Sequence, residues 1–204
     1  ALAAQYGFVV AEDDPYRALR YSGEHLPTIF SFDTEGLVVY LTSFSKLISP
    51  GLRVGSAVVK NPALMRKLVV GKQSTDLHTP TLSQAIVAEY LARGLLPAHM
   101  AKILAMYREQ LALMQRELTA LPVRVYPTEG GLFIWCEADA RVNALELLQT
   151  AVQNRVAFVP GTHFYAVPDT HHNTMRLNFS NATLENIEKG MTILKELFIS
   201  QGLK

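Results

Sequence analysis

Phe8-Val9-Val10-Ala11-Glu12-Asp13-Asp14-Pro15-Tyr16 and Leu37-Val38-Val39-Tyr40-Leu41-Thr42-Ser43-Phe44-Ser45-Lys46 share one plan: a short apolar run that ends abruptly in polar and charged side chains. Runs like 8–11 and 37–41 suit strands buried in a mostly parallel sheet. In open α/β sheets, ligands gather beyond the carboxyl ends of the strands, where loops converge on one crevice. The carboxylates after the first run and the hydroxyls and amine after the second are therefore candidates to share a pocket. Arg53, seven residues beyond Lys46, joins them. Singly these are weak signals, since an acidic strand end is usually a solvated turn and Ser-x-Ser-Lys is a common string.

Outward from these runs, strands alternate with helices. Ala1-Leu2-Ala3-Ala4-Gln5-Tyr6-Gly7 reads as the tail of a helix stopped by glycine. No N-cap or initiator Met precedes it, so the chain is expected to be a piece of a longer polypeptide. A third strand is expected over 54–59. Asn61-Pro62 then opens a helix with Leu64, Met65, Leu68 and Val69 as its apolar stripe. A helix over 81–93 carries Leu82, Ile86, Val87, Tyr90 and Leu91 and closes at Gly94.

The spacing of Ile103, Tyr107, Leu111, Met114, Leu118 and Leu121 predicts a long helix over 97–120 with one apolar face. Beyond it, strands at 123–126, 132–136, 156–159 and 175–179 and helices at 143–154 and 183–200 describe a small α+β unit. The expected division is 1–95 for the C-terminal part of a large domain, 96–121 for an interdomain helix and 122–204 for a small C-terminal domain.

Composition narrows the function classes. The 204 residues carry a formal charge of +1 with acids and bases interspersed, so no nucleic-acid surface is expected. No stretch suits a membrane span. The lone Cys136 cannot form an internal disulfide, which fits a cytoplasmic protein. Its place in Leu132-Phe133-Ile134-Trp135-Cys136 predicts packing rather than catalysis, and Trp135 is read as core. The six histidines lack metal-ligand spacing, so no metal is expected. His171-His172 reads as solvated, in a polar loop over 168–173, and His78 and His163 as packing or capping residues.

Together, the motifs resemble those of the fold-type-I, class I/II aminotransferases, most closely the branch acting on 2-aminoadipate and aromatic or branched amino acids. The matching strings are Glu12-Asp13-Asp14-Pro15-Tyr16, Ser43-Phe44-Ser45-Lys46 with Pro50-Gly51-Leu52-Arg53-Val54-Gly55, Glu129-Gly130-Gly131-Leu132-Phe133, Val159-Pro160-Gly161 and Arg176-Leu177-Asn178-Phe179-Ser180. They stand in the family's order along the whole chain. The fold this implies is α/β: part of the large domain of a fold-type-I enzyme, a mostly parallel sheet with helices, plus a small α+β C-terminal domain.

The resemblance implies pyridoxal 5'-phosphate as cofactor, with amino acids and 2-oxo acids as substrates. Lys46 would be the amine that bonds the cofactor aldehyde; an amine must be neutral to attack, which lysine tolerates and arginine does not. Asp13 would face the protonated ring nitrogen and Tyr16 the phenolic oxygen. Ser43, Ser45 and Arg53 would hold the phosphate, and Arg176 the substrate α-carboxylate through a planar, bidentate match. Of Asp13 and Asp14, one alone can face the ring. Gly130-Gly131 and Gly161 read first as turn glycines.

The same resemblance implies a homodimeric full-length parent whose N-terminal half supplies the rest of the phosphate cradle. The 204-residue piece by itself is therefore expected to bind cofactor weakly and not to turn over. Two rival functions share these residues. One is the aminotransferase-like effector domain of a bacterial helix-turn-helix transcription regulator. The other is a pyridoxal-phosphate-dependent lyase or decarboxylase.

Overall fold

Gly7 takes a left-handed conformation (φ 68°) that ends helix α1 (Leu2–Tyr6), as the sequence predicts. The computed structural model describes residues 1–167 and 170–202. They form two compact units, Ala1–Lys102 and Ile103–Lys204.

In the first unit, strands β1 (Val10–Asp13), β2 (Val38–Ser43) and β3 (Gly55–Val59) make a sheet in the order β1-β2-β3. β1 starts two residues later than its apolar run and takes in the acidic pair Glu12-Asp13. β1 and β2 are parallel, whereas β2 and β3 are antiparallel, so the expectation of a mostly parallel sheet holds for one of the two pairings. The cause is the connection. Residues 44–54 are short and contain no α-helix, and a parallel return needs a longer crossover.

Within the 14–37 connection a 3₁₀ turn, Ile29–Phe32, is capped by the Thr28 hydroxyl. Helix α2 (Pro62–Thr75) begins as expected, the Asn61 side chain accepting from the Ala63 and Leu64 amides. Its stripe is covered only in part: Leu64 and Met65 are half-buried, whereas Leu68 and Val69 are exposed, as are Phe8, Val9 and Phe32 elsewhere in the unit. Helix α3 (Thr81–Ala92) buries Val87 alone.

Asp33 stabilises the entry to β2. Its carboxylate accepts the amides of Glu35 (3.2 Å), Leu37 (3.1 Å) and Val38 (3.0 Å). Burial alone would push its pKa up, but the amides of Val38, Leu37, Glu35 and Gly36 outweigh it, and the net shift is downward. A carboxyl held below its unfolded value adds stability above that value, about 4, and loses it as pH falls toward the folded pKa. Asp33→Asn is therefore expected to lower the urea midpoint near neutral pH and to flatten its fall below about pH 4. An equally steep acid limb in the variant would refute this role.

The second unit is better filled. Helix α4 (Leu96–Leu118) buries Leu111, Leu113, Met114 and Leu118, all in its C-terminal half. Strands β4 (Val123–Val125), β5 (Phe133–Ala138), β6 (Val159–Pro160) and β7 (Thr174–Asn178) form an antiparallel sheet in the order β4-β5-β7-β6. Between them, α5 (Ala144–Gln153) is capped by Asn143, and α6 (Leu184–Ser200) by Thr183. Ile134, Cys136, Leu147, Met175, Leu194 and Phe198 fill the core.

Burial pushes the Cys136 thiol up to about 12, which keeps it protonated and inert, in line with a packing role. Ile187, Met191, Leu194 and Phe198 form the buried face of α6. Strand β6 is shorter and later than the 156–159 run, because Gly161–Phe164 turns at once into a 3₁₀ segment.

Candidate active site

Successive side chains of a strand leave on opposite faces, and this separates the acids of Glu12-Asp13-Asp14. The Glu12 carboxylate accepts the amides of Ile29 and Phe30, both at 2.8 Å, and so ties the 3₁₀ turn to β1. Asp14, just past the strand, accepts from the Tyr40 phenol (3.3 Å) and faces Arg17 (3.5 Å). Burial, together with the Asp14 charge and hydrogen bond, raises the Tyr40 pKa. A hollow of about 280 Å³ on that face is lined by Asp14, Arg17, Tyr40 and Thr42. Asp13 leaves on the other face, exposed and without a hydrogen bond or ion pair to any described residue. Of the acidic run, it is the free carboxylate.

Register carries Asp13's face across the sheet. Asp13 lies opposite Leu41 in the parallel pair, so Ser43, two residues on, shares its face at the end of β2. Ser43 in turn lies opposite Gly55, the first residue of β3. Because β3 is antiparallel, residues 44–54 leave and rejoin the sheet at one end, the end where β1 also finishes. The antiparallel turn that breaks the parallel pattern thus returns Arg53 to Ser43. Gly55 permits this approach: a Cβ there would lie 2.8 Å from the Thr42 carbonyl oxygen.

Inside this loop the Phe44 carbonyl accepts the amides of Leu47, Ile48 and Ser49, coiling the segment that presents Lys46. The Ser45 amide donates to Ser43 Oγ (3.1 Å). Arg53, held in a left-handed conformation (φ 55°), donates through Nη1 to Ser45 Oγ (3.3 Å) and to the Pro50 carbonyl (3.2 Å). Lys46 is half-buried and has no hydrogen bond or ion pair to any described residue. Other lysines are engaged: Lys60 with the Asp33 carbonyl, Lys72 with Asp76 and Lys189 with Glu185. Tyr16 lies half-buried in the turn after β1, its carbonyl accepting the Leu19 amide (2.8 Å).

The first unit thus brings Asp13, Tyr16, Ser43, Ser45, Lys46 and Arg53 to one end of one sheet. Hydroxyls and a guanidinium can hold an anion, a free amine can attack a carbonyl, and a free carboxylate can hold a cationic nitrogen.

Arg176 belongs to the second unit. It lies mid-β7, opposite Trp135 on β5 and Val159 on β6. Its guanidinium carbon is 4.1 Å from the Phe133 ring centre and 4.8 Å from that of Phe164. Its Nε is buried without a hydrogen-bond partner among the described residues. These rings, and the use of Glu12 as a tether, escape a reading by motif; the alternation of β1 carried the signal for Glu12.

Other expectations shift in detail. Trp135 is half-buried, edge-on to Phe164 at 5.5 Å. Gly131 has the positive φ of a turn glycine (78°), whereas Gly161 is required by packing. His78 and His163 are exposed, and His171 stacks on Tyr165 at 3.8 Å. Pro168 and Asp169 of the polar loop lie outside the described residues. Among the described residues, no group of three His, Cys, Asp or Glu side chains suits a metal ion, and no helix is long and apolar enough to cross a membrane.

The profile of the family described as "Aminotransferase class I and II" matches residues 1–194. The chain belongs to this family. It is 41% identical to aromatic-amino-acid aminotransferase 1 of Thermococcus litoralis over 198 residues, which cover 96% of the chain and 47% of that enzyme. Its fold superimposes on kynurenine aminotransferase of Pyrococcus horikoshii, solved with PMP, with a TM-score of 0.90 at 40% identity, over 100% of this chain and 50% of that one. LysN, the α-aminoadipate aminotransferase of Thermus thermophilus, solved with N-(5'-phosphopyridoxyl)-L-leucine, gives 0.88 at 37% identity, over 98% of this chain and 52% of that one. The chain spans about half the length of the relatives it matches, and both of its units have the fold-type-I aminotransferase architecture.

Proposed function

We propose that this chain is the lysine-bearing half of a pyridoxal-phosphate-dependent aminotransferase that moves an amino group from an amino acid to a 2-oxo acid. The observation that carries this reading is one sheet end that gathers the Ser43, Ser45 and Arg53 cluster with Lys46 and Asp13, neither of which has a hydrogen bond or ion pair to any described residue. The donor set fits the cofactor: an aldehyde needs an amine, a phosphate needs hydroxyls and a guanidinium, and a protonated pyridine needs an acid.

When bound, the cofactor supplies an electron-accepting ring conjugated to the substrate's amino-bearing carbon. Asp13 would hold the proton on the ring nitrogen, and Tyr16 would hydrogen-bond the phenolic oxygen. Ser43, Ser45 and Arg53 would bind the phosphate. Within one half-reaction Lys46 would take the α-proton of the amino acid and pass it to the cofactor's former aldehyde carbon, acting as base and then as acid, and in the other half-reaction it would move a proton the opposite way. Arg176 would bind the α-carboxylate, giving its orphaned donor a partner.

The names of the relatives support aromatic amino acids and 2-aminoadipate as the substrate class, and family membership supports a homodimer. The lone buried cysteine suits a cytoplasmic setting. The regulator and lyase readings are less favoured, because the relatives described above act as aminotransferases. A ¹⁵N-labelled amino acid incubated with a 2-oxo acid and the full-length holoprotein is expected to yield label in the new amino acid. Label released as ammonia, or kept in a decarboxylated amine, would point to the lyase or decarboxylase reading instead.

A further inference from the structure

We infer that Phe133 and Phe164 position Arg176 for an incoming carboxylate, a two-ring clamp standing where a resident acid would otherwise be; this rests on the reading of Arg176 given above. β7 lies between β5 and β6; β5 supplies one ring and the 3₁₀ segment after β6 the other. Phe133 is on β5, two residues from Trp135, the residue opposite Arg176, and so shares its face. Phe164 ends the 3₁₀ segment that directly follows β6. Both rings stand within cation–π range of the guanidinium carbon, at 4.1 and 4.8 Å.

A half-buried cation needs compensation, and Arg176 has no ion pair to any described residue. The π faces attract the positive charge but occupy no acceptor position in the guanidinium plane. The in-plane donors, including the buried Nε, have no hydrogen-bond acceptor among the described residues. An Asp or Glu in the same place would hold the cation more tightly and compete with the substrate for those donors.

Phe164 is itself held. Trp135 meets it edge-on at 5.5 Å and 88°. The 3₁₀ segment can lie this close to the sheet because residue 161 is glycine: a Cβ there would come within 2.0 Å of Thr174 Oγ1 and 2.8 Å of the Trp135 ring. Gly161 is therefore a packing glycine that sets the height of the second ring; one ring stands on strand β5 and the other on the 3₁₀ segment packed against the sheet.

The test compares two unreactive ligands on the full-length holoprotein by calorimetry: 3-phenylpropanoate, and 3-phenylpropanamide, which lacks the charge. Phe133→Leu and Phe164→Leu keep apolar bulk and remove the ring. Each is expected to weaken carboxylate binding about threefold to tenfold while leaving the amide unchanged. The amino acid KM should rise with it and kcat should change little. The corresponding Phe→Tyr variants, which keep a π face, should bind as the parent does. Equal carboxylate affinity in the Leu variants, or an equal loss for the amide, would overturn the clamp. If the parent shows no preference for carboxylate over amide, or Arg176→Ala keeps that preference, the reading of Arg176 fails first.

Discussion

Replacing Lys46 with alanine is expected to lower kcat of the full-length holoprotein by at least about a thousandfold, the scale of losing a positioned acid–base group that also anchors the cofactor. The structure gives this expectation its specificity. Lys60, Lys72 and Lys189 are each bound to an oxygen, which restrains them. Lys46 is half-buried, is presented by a coiled loop and has nothing among the described residues to hold its charge. An amine so placed is not tied to another group and can reach a carbonyl carbon. Lys46→Arg should be as inactive as alanine, because a guanidinium stays protonated. The check is single-turnover kinetics with absorbance spectra of the variants. An active Lys46→Ala protein would remove the proposed chemistry.

The second large effect is expected at Asp13. Asp13→Asn keeps the shape and removes the charge that would stabilise a proton on the cofactor ring. A loss of about a hundredfold to a thousandfold in kcat is expected, the usual scale for removing one preorganised electrostatic contact in an active site. Asp13→Glu should recover part of that loss. Asp14→Asn is the internal control: that carboxylate already serves Tyr40 and Arg17 on the other face of the sheet, so kcat should change little. Equal losses at both positions would mean that face alternation does not assign the role.

These two residues also show how far the sequence could be read. The apolar-run-then-polar pattern places both strand ends, and the ordered motifs name the family, because both signals are local along the chain. The choice between Asp13 and Asp14 is only partly local. The resemblance names Asp13, and alternation along β1 puts the two acids on opposite faces whichever of Phe8 or Val10 begins the strand; which face meets Ser43 depends on the register with β2. Likewise, Arg53 could be named from its motif, but its approach to Ser45 comes from the antiparallel return that the parallel-sheet expectation missed. The apolar stripe of α2 predicts the helix, but periodicity marks a face without stating what covers it: Leu64 and Met65 are half-buried, Leu68 and Val69 exposed. The rings around Arg176 lie far from it in sequence and meet it only through the β5-β7-β6 order.

Borohydride reduction of the full-length holoprotein, followed by proteolysis and mass spectrometry, asks directly which side chain carries the cofactor. The peptide containing Lys46 should bear the added pyridoxyl-phosphate mass. The same mass on the peptide of Lys60 or Lys72, or on none, would contradict the account.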